Sequence, residues 1–126
     1  MSITYSYGRL VIQQGMSFGE AFPFRNTDLV TCDDFTDWTA TFEIFNADGE
    51  SLYKWTSTSD PYVSTGLWNP TGEFPYNVYV ELTKELTATM SDWGIGHYDL
   101  DVLDPFGHAQ YRVHDEIVLE EGTKHV

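Results

Sequence analysis

Trp38-Thr39-Ala40-Thr41-Phe42-Glu43-Ile44-Phe45-Asn46-Ala47-Asp48-Gly49 is the stretch that decides the fold. Trp38, Ala40, Phe42 and Ile44 alternate with Thr39, Thr41, Glu43 and Phe45. Successive side chains of an extended chain point to opposite faces, so this pattern predicts a half-buried strand. Asn46-Ala47-Asp48-Gly49 has the composition of a hairpin turn, and Ser51 to Thr58 is expected to return as the partner strand.

The same period of two continues on either side. Upstream, Arg9 to Gln13 reads as a strand ended by Gln14-Gly15. Phe18, Ala21, Phe22 and Phe24 read as another, broken by Gly19 and Pro23 and therefore placed at an edge or a bulge. Downstream, Tyr76 to Leu82 puts Tyr76, Val78, Val80 and Leu82 on one face. Leu82, Leu86 and Met90 recur every four residues, which fits a short helical turn near 83–90. His97 to Leu103 alternates again, Asp104-Pro105-Phe106-Gly107 is a turn with proline at its second position, and His108 to His114 with Glu116 to Leu119 completes the series. The Ser-, Pro- and Gly-rich stretch over 59–75 reads as a long irregular loop or a pair of short irregular strands. About eight short strands with no repeat or linker predict an all-β chain, one antiparallel β-sandwich domain over 1–126.

Charge narrows the function. The 126 residues hold 20 Asp and Glu against 6 Lys and Arg, a net charge of −14. Hydrophobic residues at 41% and aromatics at 16% exclude a disordered acidic tail. Nucleic acid and anionic membrane surfaces are excluded as partners, because both need the basic residues this chain lacks. One cysteine, Cys32, allows no intrachain disulfide. Met1-Ser2-Ile3-Thr4-Tyr5 has no basic segment followed by an apolar core, so no signal peptide is expected.

Five stretches carry a resemblance. Val11-Ile12-Gln13-Gln14-Gly15-Met16-Ser17-Phe18 resembles an opening strand, glycine turn and aromatic. Phe35-Thr36-Asp37-Trp38-Thr39-Ala40-Thr41-Phe42-Glu43-Ile44, followed by Asp48-Gly49, resembles the lead into the next strand. Val80-Glu81-Leu82-Thr83 through Leu86-Thr87-Ala88-Thr89-Met90 is similar to a strand running into a helical turn. Gly96-His97-Tyr98-Asp99-Leu100-Asp101-Val102 with Asp104-Pro105-Phe106-Gly107, and Val118-Leu119-Glu120-Glu121-Gly122, look like its last strands. The family they resemble is that of small immunoglobulin-like β-sandwich domains in tailed-phage virion proteins: N-terminal domains of baseplate upper proteins and stand-alone structural proteins of actinobacterial phages. The resemblance implies an immunoglobulin-like sandwich and a virion structural role, assembled in the host cytoplasm. The family commonly has Asp after the first glycine, where this chain has Met16.

The residues offer few chemical sites. Asp99, Asp101 and Asp104 invite a cation, but no twelve-residue calcium loop surrounds them, and a solvated strand face is the expectation. His97, His108, His114 and His125 have no zinc spacing, though His108 and His114 fall on one expected strand face. No Gly-x-Ser-x-Gly frames Ser17, Ser57 or Ser91, and acids around Cys32 disfavour a thiolate. No catalytic residue, cofactor or metal is expected, and the chain is read as non-enzymatic. Trp38, Phe42, Tyr98 and Leu100 are expected in the core. Tyr5, Tyr7, Trp55, Trp68, Phe74 and Tyr76 are the expected interface, since aromatic rings outside a core anchor protein contacts. The expected partner is a basic surface on a major capsid or tail lattice, with self-association within the assembly as a further option. The expected role is an accessory or decoration subunit on the capsid; the alternatives are a tail, baseplate or connector protein, and a carbohydrate-binding adhesion module.

Overall fold

The computed structural model describes residues 3–5, 7–26, 28, 31–72, 74–91 and 93–121, residues 3–5 by backbone alone. It has nine strands: β1 (Ile3–Tyr5), β2 (Leu10–Gln13), β3 (Phe18–Phe22), β4 (Thr39–Phe45), β5 (Ser51–Thr56), β6 (Val63–Trp68), β7 (Tyr76–Leu82), β8 (Ile95–Leu103) and β9 (Ala109–Glu120). One short helix, α1 (Lys84–Ala88), lies between β7 and β8 and is capped by the Thr83 side chain, which accepts from the Leu86 amide. No described helix is long and apolar enough to cross a membrane.

The deciding stretch folds as expected. Ala40, Phe42 and Ile44 of β4 are fully buried, and their neighbours are half-buried. At the turn, the Asn46 carboxamide oxygen accepts from the amides of Asp48 and Glu50, and Gly49 sits at φ +85°, which glycine adopts at no steric cost. The chain then pairs back along β5 with Phe42 opposite Trp55.

Two sheets result. The larger runs β5-β4-β8-β9, with β1 and β2 both on the far side of β9; the smaller runs β3-β7-β6. Their inner faces supply a single core that includes Phe22, Val78, Val80 and Leu82 from the small sheet and Phe42, Ile44, Tyr98 and Leu100 from the large one. This is an all-β immunoglobulin-like sandwich, with β5 as an added edge strand.

Three expectations are corrected. Of the two readings of 59–75, the long irregular loop gives way to an irregular strand, because β6 runs through it and pairs antiparallel with β7. Its register shifts between Thr65 and Trp68, which blurs the alternation. The sandwich is not wholly antiparallel, since β1 and β2 run parallel to β9. They sit at opposite ends of the chain from β9, so no hairpin forces an antiparallel pair. Tyr76 leaves the face of Val78, Val80 and Leu82: those three are fully buried, while Tyr76 is half-exposed and stacks on Trp68.

Candidate functional site

The outer side of the small sheet carries a row of rings. Trp68 and Tyr76 stack with centroids 5.1 Å apart and planes 15° apart, and Tyr76 meets Tyr79 at 5.9 Å. The Tyr79 hydroxyl lies over Gly19 of β3, where an added Cβ would come within 2.5 Å of it. Gly19 therefore lets a phenol lie down on the strand. Glu81 sits beside Tyr79; burial first and then the Glu81 charge push this phenol above its ordinary range.

At the end of the row a groove of about 340 Å³ opens between Tyr7, Ala21 and Pro23 on one side and Phe74, Pro75 and Tyr76 on the other. Phe74 is 71% exposed and Tyr7 40%. Tyr7 is fixed in place: its hydroxyl donates to Glu20 Oε2 at 2.8 Å and contacts the Ala21 carbonyl at 3.0 Å, and its ring meets Phe22 at 4.5 Å. Burial and the adjacent Glu20 carboxylate raise the Tyr7 phenol strongly. Arg25 also lines the groove, with its Nε buried and without a hydrogen-bond partner among the described residues.

Four of the six expected interface residues thus meet on one face: Tyr7, Trp68, Phe74 and Tyr76. Trp55 does not. It is 7% exposed and packed between Tyr53 and Tyr62 on the inner side of β5, because the hairpin turn puts it opposite Phe42. Tyr5 lies in β1, but its side chain is outside the described residues. Tyr79 belongs to the row and is missing from the sequence expectation. The signal was Gly19, since a lone glycine within a strand marks a close approach.

The opposite face, on the large sheet, answers its own charges. The Arg112 guanidinium forms two bonds to the Asp101 carboxylate, at 2.6 and 3.1 Å, which raise it further above its ordinary value. The His114 ring bonds Asp99, and the His97 ring lies 5.7 Å from it. Arg9 pairs with Glu116 at 3.0 Å, and Ser51 donates to Glu43 at 2.6 Å.

The Asp99, Asp101 and Asp104 group does not converge on a cation. Asp99 and Asp101 have those partners. Asp104 closes its turn instead, accepting from the amides of His108 and Phe106 and from Gln110, and the His108 amide bond leads in holding its carboxyl below the ordinary value. Among the described residues, no three His, Cys, Asp or Glu side chains are placed to hold a metal. His108 falls in the turn before β9, not on the strand face of His114, and His125 lies outside the described residues. Phe42, Tyr98 and Leu100 are fully buried as expected, and Trp38 packs half-buried against Phe35 at 4.1 Å. Burial raises the Cys32 thiol, whose Sγ sits 3.5 Å from the Pro75 carbonyl.

Fold and surface together define an acidic, single-sandwich protein with one aromatic outer face. No known family model matches the chain, and no curated protein matches it.

Proposed function

We propose that this chain is a non-enzymatic structural protein of a phage particle, an accessory or decoration subunit that docks on the capsid surface through the aromatic face of its small sheet. The row of Trp68, Tyr76 and Tyr79, continued by Phe74 and Tyr7, is the observation that carries this reading. Large rings lose little conformational entropy when covered, and clustered rings with a polar rim are how protein interfaces concentrate affinity. Glu20 and Glu81 stand at this rim. Together with the net charge of −14 they suit a basic partner surface and oppose premature self-association. The sequence resemblance to phage sandwich domains points the same way.

Tail, baseplate or connector docking uses the same chemistry and differs in copy number. A sugar platform built from Trp55, Trp68 and Tyr76 has less support, because Trp55 lies in the core and the other two rings each cover a face of the other.

Quantitative mass spectrometry of purified particles tests the reading. Hundreds of copies mean decoration, a handful means tail or connector, and absence from particles sinks the proposal. Occupancy is expected to fall as salt shortens the Debye length from about 10 Å at 0.1 M to about 3 Å at 1 M.

A further inference from the structure

The outer face of the large sheet answers its charges but leaves two imidazoles over. In the antiparallel register Asp99 stands opposite His114 and His97 opposite Glu116, so the two histidines are diagonal neighbours across β8 and β9. Alternation sends both outward, beside the buried Tyr98 and Val113. Diagonal partners on a sheet lie within reach of long side chains. Here the ring centres are 5.7 Å apart, with planes at 44°.

The ring nitrogens are open. His114 bonds Asp99 through Nδ1. Its Nε2, and both ring nitrogens of His97, have no hydrogen-bond partner among the described residues. None of them is sealed away: the His114 side chain is 54% exposed, and the half-buried His97 keeps its nitrogens in reach of water. A carboxylate that accepts from one imidazole nitrogen fixes the tautomer in which the other carries a lone pair, and metal-ligating histidines are commonly held this way. Asp99 does this for His114.

We propose that His97 and His114 together bind one divalent ion of the zinc, nickel or copper class, with water in the remaining positions. Two imidazoles that share an ion at about 2.0–2.1 Å per bond have ring centres roughly 5–6 Å apart. The observed separation falls inside that span. Imidazole selects this class of metal, whereas calcium and magnesium take oxygen ligands. The nearby carboxylates are engaged, Asp101 by Arg112 and Glu116 by Arg9. An anion is disfavoured between the rings, because Asp99 and Glu116 flank them in a chain of net charge −14. With two protein ligands the site is open and exchanging, unlike a closed structural zinc centre.

This site lies on the sheet opposite the docking row and does not depend on it. The test titrates the full ¹⁵N-labelled chain with ZnCl2 at about pH 7.5, where free imidazole is mostly neutral. Long-range ¹H–¹⁵N correlation follows the ring nitrogens. One ion per chain is expected, with a Kd of about 0.1 mM, and with saturable ring shifts at His97 and His114 alone. His108, in the turn before β9, and His125 are the internal comparators. His97→Ala and His114→Ala are each expected to weaken binding by about tenfold or more with the amide spectrum still dispersed, and Phe74→Ala to leave binding unchanged. MgCl2 at about 10 mM is expected not to displace the zinc. The proposal is overturned if no saturable binding appears below about 1 mM zinc, if the ring shifts belong to His108 or His125, if either single histidine variant binds as tightly as wild type, or if magnesium displaces the ion.

Discussion

The outer faces of the two sheets grow from the same alternation but meet water differently. On the large sheet, cross-strand neighbours answer one another: Asp101 faces Arg112 and Asp99 faces His114 in register. Such a face answers its own charges as it stands. On the small sheet, the register sets Ala21 opposite Tyr79 and Glu81 opposite Gly19, so the Tyr79 ring has small neighbours and the row stays partly exposed. On the proposed reading, charge on one face opposes self-association while the rings on the other are the side that docks.

The largest expected effect separates the buried side of the large sheet from the adjustable outer side of the small one. Gly96 of β8 is buried, and a Cβ there would overlap the Phe45 carbonyl oxygen, a backbone atom of β4. Gly96→Ala is expected to cost about 3 kcal/mol, lowering Tm by about 10 °C. Gly19→Ala on the small sheet meets only the phenol end of Tyr79, which can swing aside. It is expected to cost under about 1 kcal/mol while disturbing the row of rings. Equal costs in thermal melts would break the contrast.

Next comes docking. Phe74→Ala removes a ring that is 71% exposed, so its effect on stability should stay within about 0.5 kcal/mol. Its effect on particle occupancy should be a loss of about 1–2 kcal/mol, roughly tenfold or more in affinity. Arg112→Ala on the other face should leave occupancy unchanged. If both variants bind alike, the faces do not differ in function.

How far these faces are legible in the sequence depends on how local their causes are. The outward acids Asp99 and Asp101 and the inward Phe42 and Tyr98 follow from alternation alone, because β4 and β8 are regular and one residue of slip would invert every side chain. The strand β6 could not be told from a loop, since its proline- and glycine-rich surroundings and its register shift blur the alternation. Trp55 was misplaced for a non-local reason: whether it faces inward depends on the turn that pairs it with Phe42. The row of Tyr76 and Tyr79 required knowing that two residues of opposite parity converge beside a bulge, which no period reveals.

Tyr7 joins the two faces, and its neighbour Gly8 completes the link. The Gly8 amide donates to Asp115 and its carbonyl accepts from the Tyr98 hydroxyl, while Tyr7 donates to Glu20. Tyr7→Phe is expected to lose about 1 kcal/mol at neutral pH, a typical net hydrogen bond. Burial raises both phenols above the ordinary value near 10. A raised folded value means that their contribution is intact below the unfolded pKa and is lost as pH climbs beyond it. Wild-type stability should therefore decline above about pH 10, and Tyr7→Phe should flatten that decline. An unchanged alkaline slope would remove Tyr7 from the linkage.

The smallest effect concerns the charged face itself. Asp101 and Arg112 are partly exposed, at 29% and 52% of their side chains, so solvent screens much of their attraction. Exposed pairs contribute roughly 0.2–1 kcal/mol, and Arg112→Ala should fall within that span. The removal also leaves Asp99, Asp101 and Glu43 beside one another with one cation fewer, so part of the cost is repulsion among carboxylates. Repulsion of that kind is screened. The penalty, read from denaturant midpoints, should be larger at about 0.01 M salt, where the Debye length is near 30 Å, than at about 1 M, where it is near 3 Å. A penalty that does not change with salt would mean that packing of the guanidinium stem along β9, not charge pairing, finishes this face, and the two faces would then differ in residue type but not in physics.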